Sequence, residues 1–194
     1  MKVAGFVLAG GQSRRMGRDK ALLPFEGTTL LEHALETLRA VCDDVAIAGC
    51  RDDLARFAPV IQDAFRDCGP LGGIYAALEQ TQVEWNLFLA VDLPRIEPEH
   101  LRTLLAHPRT PETRMVLAAA DGRIQPLCGL YHRSLAAAVA EALADGERAV
   151  IPVLASIAGT LGLERVWFEN DDAFLNLNTP EDVATLGAQE TSIQ

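Results

Sequence analysis

Residues 3–9 form a nearly continuous apolar run that closes on Gly10-Gly11, and the stretch after it carries Arg14, Arg15, Arg18 and Lys20 before an amphipathic segment opens near Thr28. That order reads strand, glycine loop, helix. An apolar run without polar alternation suits a parallel strand buried on both faces, which points the chain toward an α/β sheet from its start. Gly10 and Gly11 admit positive φ and let backbone N–H groups approach an anion, while the four cations concentrate positive charge beside them. A polyphosphate suits such a loop, although a plain turn with a solvated basic surface has the same residues. The glycines at 10, 11 and 17 spell neither G-x-x-x-x-G-K-[ST] nor G-x-G-x-x-G, so this is neither a Walker loop nor a dinucleotide fingerprint.

Downstream, Leu30, Leu31, Ala34, Leu35, Leu38 and Val41 follow helical spacing with Thr28 or Thr29 available as N-cap. Short strands are expected at 45–48 and 59–61, with a short helix at 52–57 between them. Gly69-Pro70-Leu71-Gly72-Gly73 reads as a turn leading into a helix over 74–81, and 85–91 is the most strand-like run, ending in Asp92-Leu93-Pro94. A helix is expected from Pro98 to about Ala106. Strands at 115–120 and 126–131, joined by Asp121-Gly122, suggest an antiparallel excursion. A helix over 134–145 capped by Ser134, another in 149–158, a strand at 166–168 and a helix start at Thr179-Pro180 complete the pattern. The alternation predicts an α/β fold of three layers with a mostly parallel, mixed central sheet. Ligands of such sheets sit outside the carboxyl ends of the strands, where the 10–20 loop, Asp63 and Asp92 fall.

At 194 residues, 49% hydrophobic and without a compositional break, the chain fits one domain over 1–194, with a flexible tail after about 187. A formal charge of −10 argues against a protein whose whole surface binds nucleic acid, so an anionic ligand must be met locally. Cys42, Cys50, Cys68 and Cys128 form no C-x-x-C pair and read as reduced, mostly structural thiols. Arg14-Arg15 is followed by Met-Gly-Arg-Asp-Lys instead of an apolar export segment, and no apolar stretch approaches the roughly 20 residues that span a bilayer. Cytoplasmic residence without membrane association is the expectation.

LAGG-x-S-x-R-M-G-x-D-K at 8–20 resembles the signature of the molybdenum cofactor guanylyltransferases. GPLGGI at 69–74 and NLNTPEDV at 176–183 resemble the same family, so the similarity spans nearly the whole chain. The resemblance implies a Rossmann-like nucleotidyltransferase fold and transfer of GMP from GTP to the terminal phosphate of molybdenum-loaded molybdopterin, with Mg²⁺ as cofactor and pyrophosphate as leaving group. It further implies Arg15 and Lys20 on the triphosphate, Leu8, Ala9, Gly10 and Gly11 approaching base and phosphates, Asp63 on the nucleotide, Asp92 on the metal, and Asn176 and Asn178 on the pterin side. An adaptor protein, and acceptor molybdoenzymes or their chaperones, are the implied partners.

By residue type alone, Asp92 and Asp63 could equally end their strands as turn residues, Lys20 could be a surface partner of Asp19, and the two asparagines could alternate along an edge. One departure stands out: many family members carry asparagine at the end of the second strand, where this chain reads Ala48-Gly49. The rival readings are a CTP-using nucleotidyltransferase acting on molybdopterin or another phosphate acceptor, and a non-catalytic nucleotide-binding cofactor chaperone.

Overall fold

The computed structural model describes residues 2–9, 19–62, 65, 68–158, 162–169 and 171–177. The sheet is built on β1 (Val3–Leu8), buried along its whole length. It pairs in parallel with β4 (Asp44–Ala48) on one side and β6 (Trp85–Ala90) on the other, and β5 (Val60–Ile61) extends the sheet beyond β4. Past β6 comes the hairpin of β7 (Thr113–Ala120) and β8 (Arg123–His132), followed by β9 (Gly162–Trp167), in the order β5-β4-β1-β6-β8-β7-β9. Among the described strands of this sheet, only β8 runs against its neighbours. The expected antiparallel excursion is therefore real, and it is confined to one strand wedged between β6 and β7.

Because successive side chains of a strand point to opposite faces, β1 feeds two cores. Val3 and Val7 pack with α1 (Leu30–Arg39) and α3 (Pro98–Ala106), whereas Ala4, Phe6 and Leu8 pack with α2 (Gly69–Gln80), α4 (Ala136–Ala144) and α5 (Val150–Ala158). Three layers result, and the polar chemistry is left to the strand ends.

Helix α1 begins where the sequence places it. Thr29 Oγ1 accepts from the Glu32 backbone N–H at 3.2 Å, and the Glu32 carboxylate accepts from the Thr29 N–H at 3.1 Å, closing a capping box. Just before it lies a hairpin the periodicity does not reveal, β2 (Pro24–Phe25) against β3 (Thr28–Thr29), turned by Glu26 and Gly27 with φ of 46° and 78°. Two-residue turns with both φ positive match strand twist, but Glu is an uncommon residue for the first position.

Segment 69–73 is a correction. Expected as a turn, it forms the first turn of α2, with Pro70 at a position whose N–H would be unsatisfied anyway. Glycine in a helix costs about 1 kcal/mol relative to alanine. Here it permits close approach, since a Cβ on Gly73 would lie 3.3 Å from the Ala48 carbonyl oxygen and 3.4 Å from Leu8 Cδ2. The helix expected at 52–57 shrinks to the 3₁₀ turn Asp52–Leu54, and His132, not Ser134, caps the 3₁₀ turn Arg133–Leu135 ahead of α4. The expected helix start at Thr179-Pro180 and the tail lie outside the described residues.

Candidate active site

In register, Leu8 stands beside Ala48 on one side and Ala90 on the other, so the segments leaving β1, β4 and β6 emerge together. The β1–β6 ladder continues one step past the strands, with the Val91 N–H donating to the Leu8 carbonyl at 3.3 Å. From this rim the chain supplies two ion pairs, the second of which shares its arginine with a further carboxylate, Asp53. Lys20 and Asp92 make the first: Lys20 Nζ donates to Asp92 Oδ2 at 2.9 Å, with side chains 14% and 24% exposed. The alternative partnership of Lys20 with Asp19 is not the one the structure uses.

Asp19 belongs to the second pair. Both of its carboxylate oxygens accept from Arg51, Oδ1 from Nη1 at 3.2 Å and Oδ2 from Nη2. Asp19 Oδ1 also accepts from the Ala21 backbone N–H at 3.1 Å, capping the 3₁₀ turn Lys20–Leu22. Arg51 turns its remaining fork edge to Asp53, with Nε and Nη2 donating at 2.9 and 2.8 Å. The Asp53 hydrogen bonds, followed by those of Asp19, raise the affinity of this guanidinium for its proton further, against an opposing effect of burial. The same bonds hold the Asp53 carboxyl below its usual range.

Of the residues singled out from the sequence, Leu8 and Ala9 lie at the end of β1 and are buried, and Lys20 and Asp92 meet directly. Asn176 is brought to the same rim, because the Leu177 N–H donates to the Asp92 carbonyl at 3.1 Å. Its side chain is exposed. Gly10, Gly11, Arg15, Asp63 and Asn178 lie outside the described residues. Arg51 is the residue that sequence reasoning passed over. Its available signal was an arginine immediately beyond the strand end at which the Ala48-Gly49 departure had been noticed.

The chemistry of this rim is that of charge neutralisation. Among the described residues no group of three or more His, Cys, Asp or Glu side chains could hold a metal ion. A partly exposed carboxylate beside an ammonium fits instead a magnesium ion bound through one carboxylate, phosphate oxygens and water. Elsewhere, two of the buried thiols are unreactive. Burial pushes both Cys42 and Cys128 up to about 12, with the nearby Asp43 adding to the effect on Cys42.

Residues 5–158 match the MobA-like NTP transferase domain. The chain belongs to that family. Its family makes it a nucleotidyltransferase, and the relatives agree along nearly the whole length. A probable molybdenum cofactor guanylyltransferase of Geobacillus sp. (strain WCH70) is 34% identical, over 93% of this chain and 96% of its own. The molybdenum cofactor guanylyltransferase of Aliivibrio salmonicida is 35% identical over 93% of each. Among solved structures, molybdopterin-guanine dinucleotide biosynthesis protein A from Archaeoglobus fulgidus superposes with a TM-score of 0.79 at 26% identity, covering both chains in full. A 4-diphosphocytidyl-2C-methyl-D-erythritol synthase from Anaerococcus prevotii shares the fold, with a TM-score of 0.71 at 13% identity over 98% of each chain. Among the described residues, no helix is long and apolar enough to cross a membrane.

Proposed function

We propose that this member of the family is a Mg²⁺-dependent guanylyltransferase that joins GMP from GTP to the terminal phosphate of molybdenum-loaded molybdopterin. An oxygen of the acceptor phosphate forms a bond to the α-phosphorus of GTP, the bond from that phosphorus to the bridging oxygen breaks, and pyrophosphate leaves with the electron pair. The nucleophile is already an anion, so no serine, cysteine or histidine has to be activated. Alignment and charge neutralisation are what the protein must supply.

The observation that supports this reading best is the Lys20–Asp92 pair at the joined ends of β1 and β6. Asp92 holds the metal, whose chemistry when bound is to neutralise phosphate charge and withdraw electron density from phosphorus. Lys20, with Arg15, holds the triphosphate. The β1 end at Leu8 and Ala9 and the following Gly10-Gly11 approach base and phosphates, Asp63 contacts the nucleotide, and Asn176 and Asn178 face the pterin. The names of the curated relatives support guanine as the base.

Pyrophosphate release, measured with Mg²⁺ and molybdenum-loaded molybdopterin against GTP, CTP and ATP in parallel, tests this. GTP should be preferred. Preference for CTP would overturn the base, silence with all three would leave a nucleotide-binding chaperone, and turnover unaffected by chelation of Mg²⁺ would remove the metal. On the same reading the finished cofactor passes to molybdoenzymes or their chaperones, with an adaptor protein as a further partner. Failure of any such protein to co-purify with product-loaded enzyme would argue against direct handover.

A further inference from the structure

We infer that Arg51 is a positioning residue for nucleotide binding, acting through Asp19 on Lys20. The inference rests on the proposed function and extends it to a residue outside the triphosphate and metal set.

An arginine 7% exposed is unusual in a chain of this size unless its donors are met, and this one meets two carboxylates along two edges of its fork. Its backbone is fixed as well. The Arg51 N–H donates to the Gly49 carbonyl at 2.9 Å, and the Arg51 carbonyl accepts from the N–H of Leu54, itself fully buried, at 2.9 Å. The backbone of Arg51 is thus anchored beside the core, and its guanidinium holds Asp19 in turn.

Asp19 directly precedes Lys20 and caps the 3₁₀ turn that Lys20 opens, with Ala21 of that turn 2% exposed. A line of contacts therefore runs from the core through Leu54, Arg51 and Asp19 to the ammonium that reaches Asp92. Such a pair contributes little net stability, because taking two charges out of water offsets most of their attraction. Its geometric effect is larger. It fixes the start of the turn carrying Lys20, and a misplaced phosphate-binding group costs far more in affinity than in folding. A lysine cannot substitute, since an ammonium lacks the planar fork that meets both carboxylates.

Steady-state kinetics and Mg–GTP binding by calorimetry on Arg51→Gln, Arg51→Lys, Asp19→Asn and the Arg51→Gln/Asp19→Asn double variant test the inference. Arg51→Gln and Asp19→Asn should each raise KM and Kd for GTP about tenfold, while kcat and the KM for the pterin acceptor stay unchanged. The double variant should be no worse than either single one, because both remove the same contact. Arg51→Lys should restore little. Asp19→Asn is isosteric and leaves Arg51 its bonds to Asp53, so it carries the prediction even if Arg51→Gln does not fold. Additive losses, equal rises in both KM values, or wild-type GTP affinity in a folded Asp19→Asn protein would each overturn the positioning role alone. A wild-type protein that neither binds nor turns over GTP would overturn the functional reading, and this inference with it.

Discussion

The parallel half of the sheet, β5-β4-β1-β6, and the hairpin half, β8-β7-β9, each have a strand buried along nearly its whole length, β1 in one and β7 in the other, but they hold different residues at their ends. Where β1, β4 and β6 finish, the chain places Lys20, Asp92, Arg51 and Asp19 in paired contact. Through β7 the residues Val116, Leu117, Ala118 and Ala119 are wholly buried, and the strand turns at Asp121 and Gly122, both with positive φ, into β8. Parallel strands must be linked by long crossovers, so their ends are open to loops that carry charge; a hairpin ends in a tight turn that has no room for them. One half gathers charged pairs at its ends, and the other closes on a tight turn. Substitutions in the two halves should therefore fail in different ways.

The largest effect is expected at Asp92. Replacement by alanine should lower kcat about a hundred- to a thousandfold, with the thermal midpoint little changed, since the carboxylate is a quarter exposed at the end of its strand. Turnover at the wild-type rate would remove it from the mechanism. Lys20→Ala should cost about 1.5–3 kcal/mol in kcat/KM for GTP, the value of a charge-assisted phosphate contact. A loss too small to measure would make the ion pair structural.

The hairpin half gives the reverse pattern. A Cβ on Gly129 would sit 2.6 Å from Leu117 Cδ2 and 2.7 Å from the Val116 carbonyl oxygen, so Gly129→Ala should destabilise the protein by about 1–3 kcal/mol in denaturant unfolding. Activity per folded molecule should be unaffected, and a specific kinetic defect would break the division between the halves. The smallest effect is at His132. Burial, with help from Arg114 and Arg133 and against Glu84, lowers its pKa below the ordinary 6.5, and its Nδ1 accepts from the Ser134 N–H. The unfolded chain then takes up a proton more readily. The resulting stability is complete above 6.5 and is lost as pH falls through the folded value. His132→Gln should flatten that part of the stability–pH profile; an unchanged slope would show that His132 is not its source.

The same division governs what the sequence made legible. Helix α3 spans the expected 98–106 because Pro98 marks its first turn, and α1 starts at Thr29 because its cap is local. The start of α2 was missed because Gly73 serves a close approach to β1 and β4, which local propensity cannot register. The β2–β3 hairpin was missed because its turn uses Glu where Asn or Gly would have signalled it. At the site, the family resemblance singled out Asp92 and Lys20, but nothing local could say that they touch. Arg51 was hidden for the same reason, its partner Asp19 lying 32 positions earlier.

The Lys20–Asp92 contact joins residues 72 positions apart, and that separation bears on how the molecule reaches its working state. Contacts so distant form only after the crossovers between β1 and β6 have closed, which is the slow part of folding a parallel sheet. Since β1 is apolar on both faces, burial alone penalises a one-residue slip of its pairing less than it would in a strand with one wet face. A slipped molecule could keep its helices and much of its core while its ammonium and carboxylate stood apart. Recovery of activity during refolding should then follow the return of helical signal, so that activity reports the fraction of chains that have reached the correct strand register.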